Sequence, residues 1–148
     1  MFLFISVFVP LTVYYILNRM FGRDSYSQWL LIIACALFFV SFCLPSPLIY
    51  GQNTKFTTHF VGGGLFSGLI WLYVAKAQKW LPKPWYVEAA SLFALVCTLG
   101  VSNELFELGL FVAGYMPHGI ADTSWDLAAN TLGALMFYLS YKVFYTKR

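Results

Sequence analysis

Five apolar stretches, each long enough to cross the hydrocarbon core of a bilayer, dominate this chain. Drawn at roughly 1–18, 29–50, 57–75, 87–115 and 125–144, they meet the ~17–25 residues that a spanning helix needs. In hydrocarbon every backbone N–H and C=O must be satisfied within the segment, so runs of this length predict helices. The stretches between them, 19–28, 51–56, 76–86 and 116–124, are too short to fold separately. The expected fold is all-α, a polytopic membrane bundle of about five transmembrane helices, with residues 1–148 forming a single domain. A chain that is 60% hydrophobic and only 10% charged, with mean hydropathy +0.72, holds no separate water-soluble catalytic module. Any site has to be built from the spans and their ends.

Basic residues in short loops stay cytoplasmic. Arg19, Arg23, Lys76, Lys79, Lys83, Lys142, Lys147 and Arg148 fall on one side of such a bundle, and Lys55 alone on the other. This asymmetry predicts the N-terminus outside and the C-terminus inside, in a multi-pass protein of the plasma membrane. It also accounts for the net charge of +3 without a nucleic-acid partner, leaving membrane lipid as the expected contact. The first span starts at Met1 and carries its positive charges after it, so it reads as a retained anchor, kinked at Pro10. Trp29, Trp80, Trp85 and Trp125 lie near span ends, where amphipathic rings favour the headgroup layer.

Cys35, Cys43 and Cys97 sit within spans, lack C-x-x-C spacing and read as small hydrophobes. The run "VGGGLFSG" lacks the Lys and Ser/Thr of a phosphate loop. Gly64 with Gly68, and Gly63 with Ser67, instead give the third span a face that a neighbouring helix can approach closely. Ala129 and Gly133 offer a matching small face on the fifth.

The acids carry the chemistry. Asp24 and Glu88 belong to the cytoplasmic side and read as interfacial charges, whereas Glu104, Glu107, Asp122 and Asp126 converge. At ~1.5 Å per residue Glu104 lies roughly 25 Å above the cytoplasmic end of the fourth span, with Glu107 one turn further out. The fifth span descends from that side near Asp126, with Asn130 one turn deeper on the same face, and the third begins there with His59 in its first turn. His59, Asn103, Glu104, Glu107, Asp122, Asp126 and Asn130 therefore share one depth in the extracytoplasmic leaflet, and His118 of the outer loop can join them.

Ionisable groups within a membrane cost ~2.5–3.5 kcal/mol each at a helix centre, so a cluster of them points to function. Two adjacent carboxylates in low dielectric also require compensation. Protonation, a hydrogen bond from Asn130, protonated His59 or a bound cation would each supply it. A divalent metal here would use His59, Glu104, Glu107 and Asp126; with the histidine the set suits Zn or Mn, whereas carboxylates alone would suit Mg or Ca. Thr123 and Asp126 also fit a capping box, with Thr123 as N-cap.

"THFVGG" opening one span, "NELFE" within the next and "DTSWDLAANTLGA" opening the last resemble the VanZ-like membrane proteins and the related YjdF-type proteins. The resemblance covers about residues 55–138. It rests on His59 and Phe60, on Glu104 with Glu107, and on Asp126, Asn130 and Gly133; Asp122 matches the additional acid of the YjdF-type "D-x-x-W-D" form. VanZ-like proteins commonly have Gln where Glu107 stands and an Arg before the last span, and residues 108–124 hold no Arg. The chain thus resembles the YjdF-type branch more closely. The resemblance implies a bacterial plasma-membrane protein, linked in the founding case to teicoplanin resistance, without an assigned reaction.

Three readings follow. In the first, the protein binds or modifies a polar or lipid-linked envelope molecule at the outer leaflet, with Glu104 or Asp126 as general acid or base, His59 as partner, and Glu107, Asp122, Asn130 and Asn103 as ligand-binding groups. The second is proton- or cation-coupled transport, and the third a non-catalytic assembly subunit held by its polar cluster. No H-E-x-x-H, G-x-S-x-G or P-loop signature selects an enzyme class. A homo-oligomer is compatible with all three.

Overall fold

The computed structural model describes residues 2–21, 25–49, 51–79, 84–115 and 120–145, which are predominantly helical. Among them are five helices: α1 (Phe2–Phe21), α2 (Ser25–Ser41), α3 (Phe56–Ala77), α4 (Trp85–Val112) and α5 (Ile120–Tyr145). By length and composition α3 and α4 can each cross a membrane, and Val7–Phe21 and Gln28–Ser41 are shorter apolar helices. Trp80, Arg23, Asp24, Lys83, His118, Lys147 and Arg148 lie outside the described residues.

α3 is the central element. α2 and α5 pack on it from two sides, α1 packs on α2, and α4 packs on α5. One apolar cluster joins Leu31 and Ala34 of α2 to Phe66, Ile70 and Tyr73 of α3, with Val13 and Leu17 of α1 against it. A second joins Trp71 and Leu72 to Leu92, Val96 and Ala134. The outward faces are also apolar, with Phe8, Leu11, Ile32, Ile33, Phe93, Leu105, Phe106, Leu135, Met136 and Leu139 all exposed. α1 runs through Pro10, whose carbonyl accepts a bond from the Cys35 thiol at 3.3 Å.

Two boundaries differ from expectation. The second apolar run, expected to span 29–50, leaves the helix at Ser41. Pro45 and Pro47 lack amide donors and disfavour helical conformation in the residues before them, so the chain goes on as a strap instead. The strap holds a short hairpin, β1 (Leu48–Ile49) against β2 (Gln52–Asn53), with Gly51 at φ +76° between them. The Ser46 hydroxyl accepts the Thr57 amide at 3.1 Å, tying the strap to α3, and Ser41 O at the end of α2 accepts the Thr58 hydroxyl at 3.3 Å. The last helix starts at Ile120, so Thr123 lies inside it and is not an N-cap, and Asp122 is in its first turn rather than in a loop.

α4 and α5 mesh along one register. The buried residues of α4 are Glu88, Leu92, Val96, Gly100 and Glu104, spaced by four so that they share a face. Opposite them on α5 stand Lys142, Tyr138, Ala134, Asn130 and Asp126, again every fourth residue. Lys142 pairs with Glu88, Leu92 packs near Tyr138, and Val96 clusters with Ala134. A Cβ on Gly100 would lie 3.1 Å from the Asn130 amide nitrogen, and Glu104 faces Asp126. Glu88 is thus a buried ion-pair partner, not an ordinary interfacial charge. Its end of the bundle is further fixed by Tyr138 Oη donating to Trp85 O at 2.8 Å, and by Trp71 Nε1 donating to Ser91 Oγ at 2.9 Å.

Candidate functional site

The three glycines at 62–64 make the other end of the bundle. Residues His59–Leu65 form a π-helical segment, an uncommon geometry that recurs at functional sites. Successive helical residues point in different directions, so each glycine admits a different neighbour. A Cβ on Gly62 would meet Ser41 of α2, and one on Gly63 would meet the Asn130 side-chain oxygen. One on Gly64 would lie 2.5 Å from both Asn130 O and Gly133 Cα, and one on Gly133 would strike Phe60 O. Backbone therefore lies against backbone where α3 crosses α5, as the small-residue pattern led us to expect for Gly64 and Gly133. Gly68, by contrast, accommodates the Phe137 ring rather than a small residue.

This crossing sets His59 beside Asp126, with Nε2 3.2 Å from Oδ2. Asp126 is fully buried, and neither of its carboxylate oxygens accepts a hydrogen bond, so the His59 contact is a close approach without hydrogen-bond alignment. Glu104, 7% exposed, comes in from α4, and one ligand atom from each of His59, Glu104 and Asp126 lies within 4.8 Å of the other two. Asn130 is buried one turn below Asp126, its amide held between Gly63 and Gly100. Four residues expected at one depth, His59, Glu104, Asp126 and Asn130, therefore meet.

The others do not join that cluster. Asn103 is exposed and donates from Nδ2 to Glu107 Oε1 at 3.0 Å, so Glu107 turns along α4 instead of towards Asp126 and is no member of the converging set. Asp122 is half-buried in the first turn of α5, outside the set, and His118 falls outside the described residues.

A cavity of about 650 Å³ opens beside the cluster. His59, Gly63 and Asn130 form its inner wall, while the strap, α1, α2 and α4 supply the rest. Its polar lining comes from Ser46, Asn53, Lys55, Thr58, Asn103 and Glu107, and its apolar lining includes Val13, Phe42, Leu44, Phe66, Val96 and Leu99. Lys55 holds a left-handed backbone at φ 51°, uncommon for a side chain with a Cβ, with its amide bonded to Asn53 Oδ1 at 3.1 Å. Strained backbone of this kind concentrates at functional sites. Ser46, Asn53 and Gly100 were not anticipated from sequence. Pro45 and Pro47 were the available signal that this stretch would leave the helix and fold back over the site.

No family model, curated protein or solved structure matches the chain.

Proposed function

We propose that the chain is a five-span protein of the bacterial plasma membrane, N-terminus outside and C-terminus inside, related to the VanZ-like and YjdF-type proteins. Its cavity, on this reading, binds an amphiphile with a polar, phosphate-class headgroup from the outer leaflet and presents it to His59, Glu104 and Asp126. The observation that carries the reading is the mixed lining, in which Ser46, Asn53, Lys55, Thr58 and Asn103 share one cavity with apolar side chains that include Val13, Phe66, Val96 and Leu99. Such a site suits a headgroup joined to hydrocarbon, as pockets with an apolar body and a few placed polar groups generally do. The apolar outer faces of α1, α2, α4 and α5 support burial in lipid. The convergence of His59, Glu104, Asp126 and Asn130, all motif residues, supports the VanZ-like relation.

Transport is less well supported. Between Glu104 and Glu88 the buried stripe of α4 is Gly100, Val96 and Leu92, an apolar layer that offers a proton or ion no relay.

The test is photo-crosslinking in proteoliposomes with a phosphate-headed lipid carrying a diazirine in its acyl chain. Crosslinks should concentrate on Val13, Phe66, Val96 and Leu99, and fall about fivefold or more when Leu99→Trp fills the cavity. Labelling spread evenly over the outer faces of α1, α2 and α5, and unchanged by Leu99→Trp, would sink the reading.

A further inference from the structure

The register of α4 against α5 is electrically uneven. At one end a buried acid, Glu88, meets a base, Lys142; at the other, Glu104 meets a second acid, Asp126. Two neighbouring buried carboxylates require compensation, and a bound cation would supply it to both at once. The side chain that the fold brings against them is His59, a residue that can ligate as a neutral imidazole.

We propose that His59, Glu104 and Asp126 hold one divalent transition-metal ion, of the Zn²⁺ or Mn²⁺ class, with an open coordination position facing the cavity. Four observations carry this. The three donor atoms lie within 4.8 Å of one another, so side-chain shifts of up to about an ångström bring all of them to ~2.0–2.2 Å from a common centre. The 3.2 Å between His59 Nε2 and Asp126 Oδ2 is already the spacing of adjacent ligands on one ion with such bonds. Asp126 is fully buried, with two oxygens that accept no hydrogen bond. Finally, a dication balances the two carboxylates, as Lys142 balances Glu88 at the far end.

The nitrogen donor favours a transition ion over Mg²⁺ or Ca²⁺, which prefer all-oxygen shells. Three protein ligands leave a position for water or substrate, the pattern of catalytic rather than structural sites. Of the three donors His59 also lines the cavity, so the ion would sit against the cavity wall, and the open position is placed on that side. An ion there would polarise a phosphoryl or carbonyl oxygen, or lower the pKa of a bound water. Only this last step rests on the amphiphile reading; binding of the ion does not.

The experiment measures metal content. Protein purified in detergent without a histidine tag, stripped with chelator and dialysed against equimolar Zn²⁺, Mn²⁺, Mg²⁺ and Ca²⁺, is analysed by inductively coupled plasma mass spectrometry. One equivalent of Zn²⁺ or Mn²⁺ per chain is expected. It should fall at least tenfold in His59→Ala and in the near-isosteric Asp126→Asn, both checked for monodispersity. It should persist in Glu88→Gln and in a variant with Cys35, Cys43 and Cys97 replaced by Ser. Co²⁺ loaded in place of the native ion should give visible d–d bands that vanish with His59→Ala. Less than a tenth of an equivalent, retention in both site variants, or preference for Mg²⁺ or Ca²⁺ would overturn the proposal. None of these results changes where lipid crosslinks fall, so the two readings fail separately.

Discussion

Asp126 is where a charge-for-amide exchange is most informative. Its carboxylate faces another acid, is fully buried and accepts no hydrogen bond, so in chelator-treated protein it is a net cost to the fold. Asp126→Asn keeps the shape and removes the charge. Thermal unfolding of the metal-free variant in detergent should match or exceed the metal-free wild type, by about 1–2 kcal/mol at most. With metal added, only the wild type should gain stability through ligand linkage. A variant that unfolds well below the wild type in chelator would mean that Asp126 instead holds the helices together. That Asp126 would meet His59, Glu104 and Asn130 was legible in the sequence, because an acid four residues before Asn130 near the start of an apolar run shares that residue's helix face. Its partner set was less so: Glu107 shares a helix face with Glu104, yet a hydrogen bond from Asn103 turns it away.

At the scale of the element, the π-helical segment of α3 makes two glycines that look alike in sequence behave differently. Gly63→Ala puts a methyl against the Asn130 side chain, which can be shortened, so the double variant with Asn130→Ala should regain most of the loss. Gly64→Ala puts it against the backbone of Asn130 and Gly133, and no side-chain change can relieve that. We expect each single variant to lose about 1–3 kcal/mol, as overpacked sites do, and a double-mutant cycle to show rescue at 63 only. Equal rescue at both would show that the crossing is loose. The sequence pattern indicated a close crossing but not the π geometry, because a run of glycines is compatible with either helix. The strap was hidden for a related reason: residues 42–50 continue the hydrophobicity of α2, and only Pro45 and Pro47 separate a span from a cover.

For the whole molecule, the two ends of the α4–α5 register make separate predictions. At the Lys142 end, Glu88→Gln and Lys142→Met should each destabilise by about 1–3 kcal/mol, less than for a fully buried pair because Lys142 is 28% exposed at its side chain. The double variant should recover part of that loss, as a positive coupling in a thermal double-mutant cycle; strict additivity would mean that the pair contributes nothing. Reporter fusions address orientation. Fusions at 116–122 should behave as external and those after residue 148 as cytoplasmic, and the reverse would move the cavity to the inner leaflet. The five helices and their order could be read from hydropathy, though not the point where the second gives way to the strap. The pairing of Glu88 with Lys142, 54 residues apart, could not, because it depends on the register between two helices.

That register also bears on how the protein is made. Emerging first, α4 carries two buried acids, Glu88 and Glu104, and the base that pairs with Glu88, Lys142, arrives only with α5. Alone in lipid, each acid opposes partitioning by up to ~2.5–3.5 kcal/mol at a helix centre. A slip of one turn gives Glu88 no relief, since it parts that acid from Lys142 and, in one direction, also sets Glu104 against Asp122. If both helices cross the membrane as proposed, they therefore gain by inserting together, as a hairpin already in its final alignment.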